Sequence, residues 1–172
     1  DMARGSARVL GLRLSANFDR PFLAASPAEF WRRWHQTFSR WMHDYVYIPL
    51  GGNRHGAGRM ILAATGSLVL AGLWHGAAWN FVAWGGWFAL VWVVWRGGAA
   101  WIPAAVRRRG RPVGVLLTLW VVAVGMLLFR EPDLRRSLEV LCQLPSRGTD
   151  GDLAVAAGVL GVTVVGGSIL AG

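Results

Sequence analysis

From Met60 to Trp95 the chain carries no Asp, Glu, Lys or Arg, and His75 is the only ionisable side chain of the run. It sits in Gly72-Leu73-Trp74-His75-Gly76-Ala77-Ala78-Trp79-Asn80. A window this apolar reads as membrane-embedded. A polar ring there gives up hydration that hydrocarbon does not replace, so an ionisable group at that depth marks a candidate site of chemistry. For an isolated imidazole that chemistry is proton transfer. A neutral ring held there can accept a proton as a general base, a contribution of about 10²–10⁴-fold where a reaction uses it. The plainer alternative is a turn in the interfacial belt, anchored by Trp74 and Trp79, in which His75 only hydrogen-bonds. A metal centre is not expected, because the four His and the single Cys142 show no ligand spacing.

The elements that must position His75 follow from the run lengths. Met60 to Trp74 is fifteen residues, a rise of only ~22 Å against a hydrocarbon core of ~30 Å. Phe81 to Trp95 is equally short. Spans over 60–74 and 81–95 therefore predict a re-entrant or short tilted hairpin with His75 near its apex, inside the membrane. Upstream, Ser26-Pro27-Ala28-Glu29 predicts a helix start: a capping hydroxyl, a proline suited to the first turn, and an acid where a capping box needs one. Continued over about 27–45, this helix gathers Phe30, Trp34, Phe38, Trp41 and Tyr45 in one sector, opposite Arg32, Arg33 and Arg40, as suits a helix lying in the interface. His35 falls at the border of the apolar face, where it either hydrogen-bonds or lines a polar cavity. His43 falls on the polar, solvated face. Pro49 and the Gly51-Gly52 pair end the element.

Further spans are expected over 113–129 and 153–172, with a short interfacial helix between them marked by Leu134, Leu138, Leu141 and Leu144. Residues 1–17 form a short amphipathic segment. The composition agrees: 54% of the 172 residues are hydrophobic, eleven are Trp, and all eighteen basic residues are Arg, giving a net charge of +9. Because the arginines gather at the ends of apolar windows and no nucleic-acid motif accompanies them, the charge is read as cytoplasmic flanking and nucleic acid is excluded as a partner. Arg54, Arg59 and the stretch from Arg96 to Arg111 then face the cytoplasm, and the His75 apex points outward. The fold class is all-α, a polytopic transmembrane helical bundle in a single membrane domain over 1–172. The chain opens at Asp1 without Met and its last apolar window runs to Gly172, so it is expected to be a fragment of a longer protein.

Two long motifs carry a family resemblance. Phe30-Trp31-Arg32-Arg33-Trp34-His35, continued through Trp41 and Asp44-Tyr45-Val46-Tyr47-Ile48-Pro49-Leu50-Gly51-Gly52-Asn53-Arg54, and then Gly72-Leu73-Trp74-His75-Gly76, resemble the membrane-bound O-acyltransferases, in their bacterial alginate O-acetyltransferase branch. The resemblance covers about residues 1–145 and includes Asn17-Phe18-Asp19-Arg20-Pro21-Phe22 and Phe129-Arg130. It implies a multi-pass enzyme of the bacterial inner membrane that moves an acyl group, typically acetyl, to hydroxyls of an exported polysaccharide. The donor is an acyl thioester co-substrate, on coenzyme A or a carrier protein, with no bound cofactor. The implied partners are the polysaccharide acceptor, membrane lipids and an extracytoplasmic acylation protein. His75 is then the catalytic histidine and His35 the second motif histidine. Trp74 and Trp79 are expected to exclude water at the substrate, Asn80 to donate to an acyl oxygen or orient the ring, and Arg32 to contact substrate. His43 stands where this branch is expected to have Arg. Two rivals are a membrane scaffold in which His75 is structural, and a transporter in which His75 relays protons.

Overall fold

The structure, a computed structural model, describes residues 2–99, 106 and 109–143. The described residues are helical, with no strand among them. They divide into two units, residues 17–137 and, separately, residues 2–16 with 138–143. The smaller unit contributes helix α1 (Met2–Val9). The expected span over 153–172 lies outside the described residues.

Within residues 17–137 the chain first makes a 3₁₀ turn, Pro21–Leu23, and then α2, Pro27–Arg33. Ser26 caps α2 as its residue type predicts, its Oγ accepting from the Glu29 amide at 3.1 Å. Glu29 reaches back one residue further than a capping box requires and accepts from the Ala25 amide at 2.8 Å. The helix does not continue to residue 45. It stops at Arg33, His35 takes a left-handed conformation (φ 44°, ψ 52°), and α3 runs from Gln36 to Met42 before a π-helical turn over His43–Tyr47. The single interfacial helix expected over 27–45 is thus three short segments, and the face of every residue after 35 is reset by the break.

The hairpin is present, but its arms are longer than the uncharged windows. Helix α4 spans Gly56–His75 and α5 spans Trp79–Ala99, so each rises about 30 Å, enough to cross a hydrocarbon core. The windows understate α4 because Arg59 lies within its first turn and turns its Nε toward the Leu50 carbonyl (3.1 Å). A short re-entrant loop is therefore replaced by a full-length helical hairpin, with His75 at the end of its first arm. Small residues set the spacing of the arms. A Cβ on Gly72 would collide with the Phe81 carbonyl oxygen, and one on Gly85 would come 2.5 Å from the Leu68 carbonyl oxygen.

Helix α6, Arg111–Arg130, packs against α5. The Trp87 indole N–H donates to the Val121 carbonyl (3.0 Å) and Phe88 fills the space beside Gly125. By length and composition, α4 and α6 suffice to cross a membrane. A core of Met42, Ala71, Trp84, Phe88 and Leu128 joins α3, α4, α5 and α6, and a second cluster of Ala24, Phe30 and Val122 pins α2 to α6. Helix α7, Leu134–Gln143, follows α6.

Candidate functional site

The local sequence explains how His35 is held. A non-glycine residue in the left-handed region carries a conformational cost of about 1–2 kcal/mol, and Asn17, eighteen positions earlier, offsets it. The Asn17 carbonyl accepts from the Gln36 amide at 2.9 Å. Its side-chain Oδ1 accepts from both the amide and the hydroxyl of Thr37, each at 3.0 Å, and its Nδ2 lies 3.4 Å from His35 Nδ1. These contacts fix more than position. With Oδ1 committed to two donors, the atom facing His35 is the amide nitrogen, which can only donate. His35 Nδ1 therefore accepts, and in the neutral ring the proton sits on Nε2. His35 presents a donor rather than a base. The ring packs between Phe18 and Phe38, with centroids at 5.9 and 5.2 Å.

His75 is built differently. It closes α4 just before the turn at Gly76, and aromatic rings flank it, though the residue itself is exposed: Trp74 at 4.8 Å, Phe129 at 4.9 Å, Trp84 at 5.7 Å and Phe81 at 6.3 Å between centroids. Trp84 and Phe129 meet it edge-on and come from two different helices, α5 and α6. Among the described residues nothing hydrogen-bonds its ring, so both nitrogens are available to a ligand. The flanking rings are held in place because they also pack on one another, Phe81 on Phe129 at 5.2 Å and Trp84 on Phe129 at 5.9 Å.

The two histidines are joined by an unbroken run of ring contacts. His35 packs on Phe38, Phe38 on Trp74 at 4.8 Å, and Trp74 on His75. Of the residues singled out from sequence, His35, Trp74 and His75 are thus brought together. Trp79 is 77% exposed and makes no ring contact with His75 among the described residues. Asn80 is buried to 3% exposure, and its Oδ1 has no hydrogen-bond partner among the described residues. Arg32 lines a separate cleft between the short helices and the hairpin. Asn17, Phe38, Phe81, Trp84 and Phe129 were not singled out as site residues. The Asn17-Phe18-Asp19-Arg20-Pro21-Phe22 and Phe129-Arg130 motifs were the available signals for two of them.

Glu29 braces the base of this arrangement. It pairs with Arg33 at 2.7 Å and Arg111 at 3.4 Å, tying α2 to α6. Burial alone would raise its carboxyl, but the Ala25 amide and the two guanidinium groups outweigh that and hold it below the ordinary carboxylate range. No three His, Cys, Asp or Glu side chains converge on a metal-sized site among the described residues.

Comparison with known proteins bears on what such a pair of histidines is for. The sequence profile of the membrane-bound O-acyltransferase family matches residues 2–125. The chain belongs to that family. It is 40% identical over 134 residues, 78% of its length, to the probable alginate O-acetylase AlgI of Azotobacter vinelandii, and 36% identical over 149 residues to the protein of the same name in Pseudomonas aeruginosa. It is also 45% identical over 87 residues, 49% of its length, to the peptidoglycan O-acetyltransferase of Helicobacter pylori. The matched regions are 26%, 28% and 16% of those relatives. The chain thus spans about a quarter of the alginate O-acetylases it matches.

Proposed function

We propose that this chain is the histidine-bearing part of a multi-pass O-acyltransferase of the bacterial inner membrane, transferring an acyl group, acetyl in the first instance, from a thioester donor to hydroxyls of an exported polysaccharide. The observation that carries the reading is the pairing of two unlike imidazoles across Phe38 and Trp74. One is clamped as a donor and the other is exposed, flanked by aromatic rings, with its nitrogens open. The names of the relatives, which act on alginate and peptidoglycan, support a polysaccharide acceptor.

In this mechanism the acceptor hydroxyl donates to a ring nitrogen of His75, which takes its proton as the oxygen bonds to the thioester carbonyl carbon. The carbonyl oxygen gains negative charge and is stabilised by the Nε2–H of His35. The carbon–sulfur bond then breaks, and His75 returns the proton to the thiolate. Proton and acyl group balance, and His75 ends the cycle neutral. Phe81, Trp84 and Phe129 shield one side of the His75 ring, while the other side stays open to the acceptor.

Membrane vesicles containing the full-length protein, supplied with a labelled acyl thioester on one face and polysaccharide on the other, test the reading. Label should pass to the polymer as an alkali-labile ester. Flux of an ion or solute with no ester formed would replace this reading with the transporter.

A further inference from the structure

With no hydrogen bond to its ring among the described residues, His75 takes its orientation from packing. An imidazole turns about two side-chain bonds, and a base whose nitrogen wanders loses the alignment that proton transfer needs. Three rings meet His75 nearly at right angles: Trp74 at 74°, Trp84 at 77° and Phe129 at 80°. Trp74 is its chain neighbour and is 63% exposed, so it is a loose support. Trp84 and Phe129 reach the ring from other helices, and perpendicular packing is an arrangement that aromatic quadrupoles favour.

The two supports differ in what else they do. Trp84 is 4% exposed and belongs to the core with Met42, Ala71, Phe88 and Leu128. Phe129 is half-buried, the last residue but one of α6. Its place is fixed from both sides. Leu128 before it is 5% exposed in the core, the Glu131 amide closes the last turn on the Leu127 carbonyl at 3.1 Å, and Leu134 beyond the turn packs on the same core. The pairing of α5 with α6 is secured elsewhere, by the Trp87 indole on the Val121 carbonyl and by Phe88 beside Gly125. What Phe129 adds is its ring, set against His75, Phe81 and Trp84.

We propose that Phe129 is a positioning residue for His75, and that α6 serves acyl transfer through this contact. The role rests on the acyl-transfer reading, since the aim of the ring matters to the rate only if the ring moves a proton. Phe129 holds the shielded side of the imidazole so that a nitrogen stays turned to the open side. Without the Phe129 ring, His75 swings into the space it leaves, and the fraction of time spent aligned falls. That loss lowers kcat and leaves KM for the thioester unchanged, because Phe129 acts on the base and not on the bound donor.

The test uses the full-length protein in lipid vesicles, labelled at histidine with ¹³C and ¹⁵N, and reads motion and rate separately. Ring C–H dipolar couplings of His75, assigned by the signals missing from His75→Gln, are measured by magic-angle-spinning NMR. The parent should show a rigid ring and Phe129→Ala a motionally averaged one. Phe129→Tyr keeps the ring and should match the parent. Phe129→Leu keeps apolar bulk without a ring and should fall between; if Phe129→Ala does not accumulate, the comparison of Leu with Tyr carries the test. In the same series kcat for ester formation should fall about ten- to a hundredfold in Phe129→Ala, with KM for the thioester within about twofold of the parent, and recover in Phe129→Tyr. Parent-like couplings in the folded Ala or Leu variant overturn the proposal, as does a loss confined to KM, which would set Phe129 against substrate. If the parent forms no ester, the acyl-transfer reading fails, and the couplings alone decide whether Phe129 holds the ring.

Discussion

Replacing Asn17 separates the placement of His35 from its protonation. In Asn17→Ala the two bonds to Thr37 and the contact to His35 Nδ1 disappear, while the backbone bond to Gln36 stays. At about 0.5–1.5 kcal/mol per bond, with the 3.4 Å contact the weakest, the loss is about 1–3 kcal/mol. That is the size of the left-handed penalty at His35, about 1–2 kcal/mol. The clamped geometry should therefore drop from dominant to about half populated or less, and acyl transfer should fall severalfold with little change in expression. Asn17→Asp is the sharper change. It keeps an acceptor for both Thr37 donors but presents a second acceptor to His35 Nδ1, which draws the neutral ring's proton onto Nδ1 and leaves Nε2 without one. If Nε2–H stabilises the developing oxyanion, the rate at about pH 8.5, where imidazoles are neutral, should fall about 10²-fold. The readout is the initial rate of ester formation in vesicles. A rate within twofold of the parent for Asn17→Asp would refute the donor role of His35.

Other outcomes follow from the packing. Gly72→Ala drives a methyl into the Phe81 carbonyl and should destabilise the hairpin by about 1–3 kcal/mol, seen as a lower unfolding temperature of the detergent-purified full-length protein. Glu29→Gln should cost about 1–2 kcal/mol at neutral pH. Because the folded carboxyl sits below its unfolded value, its contribution is complete above the unfolded pKa of ~4.3 and is lost as pH falls through the folded one, so parent and variant unfolding curves should converge in acid. Introduced cysteines at Arg109 and Asp133, at opposite ends of α6, should label from opposite faces of intact cells, with Asp133 the one reached by an impermeant reagent.

Much of the architecture is readable from residue order alone. Ser26 and Pro27 start α2 where their chemistry places a helix, and the two uncharged windows around Gly72–Asn80 announce a hairpin. The break at His35 is not readable, because Trp31 to Phe38 has no glycine or proline and its local preference is helical. The cause is Asn17, a side chain remote in sequence whose hydrogen bonds override that preference. The missed break resets the helical wheel after residue 35, yet His43 remains exposed as the wheel places it, its side chain 56% accessible. The arms of the hairpin were underestimated for a simpler reason: charge was taken as the edge of the helix, whereas Arg59 is helical and directs its guanidinium to the Leu50 carbonyl. His75 was recognisable by its isolation. Its ring neighbours were not, because Phe129 arrives from α6, fifty-four residues away, and the Phe129-Arg130 motif does not say which residue it meets.

The central claim is that His75 moves the acceptor's proton, and His75→Gln in the full-length protein tests it most directly. Glutamine keeps amide hydrogen bonding and can substitute for a structural imidazole, but it cannot accept a hydroxyl proton at neutral pH. Ester content of the exported polymer, measured alongside the amount of protein in the membrane, should fall to background while the protein level holds. Near-normal esterification in that strain would contradict the account and leave His75 a structural residue of a scaffold.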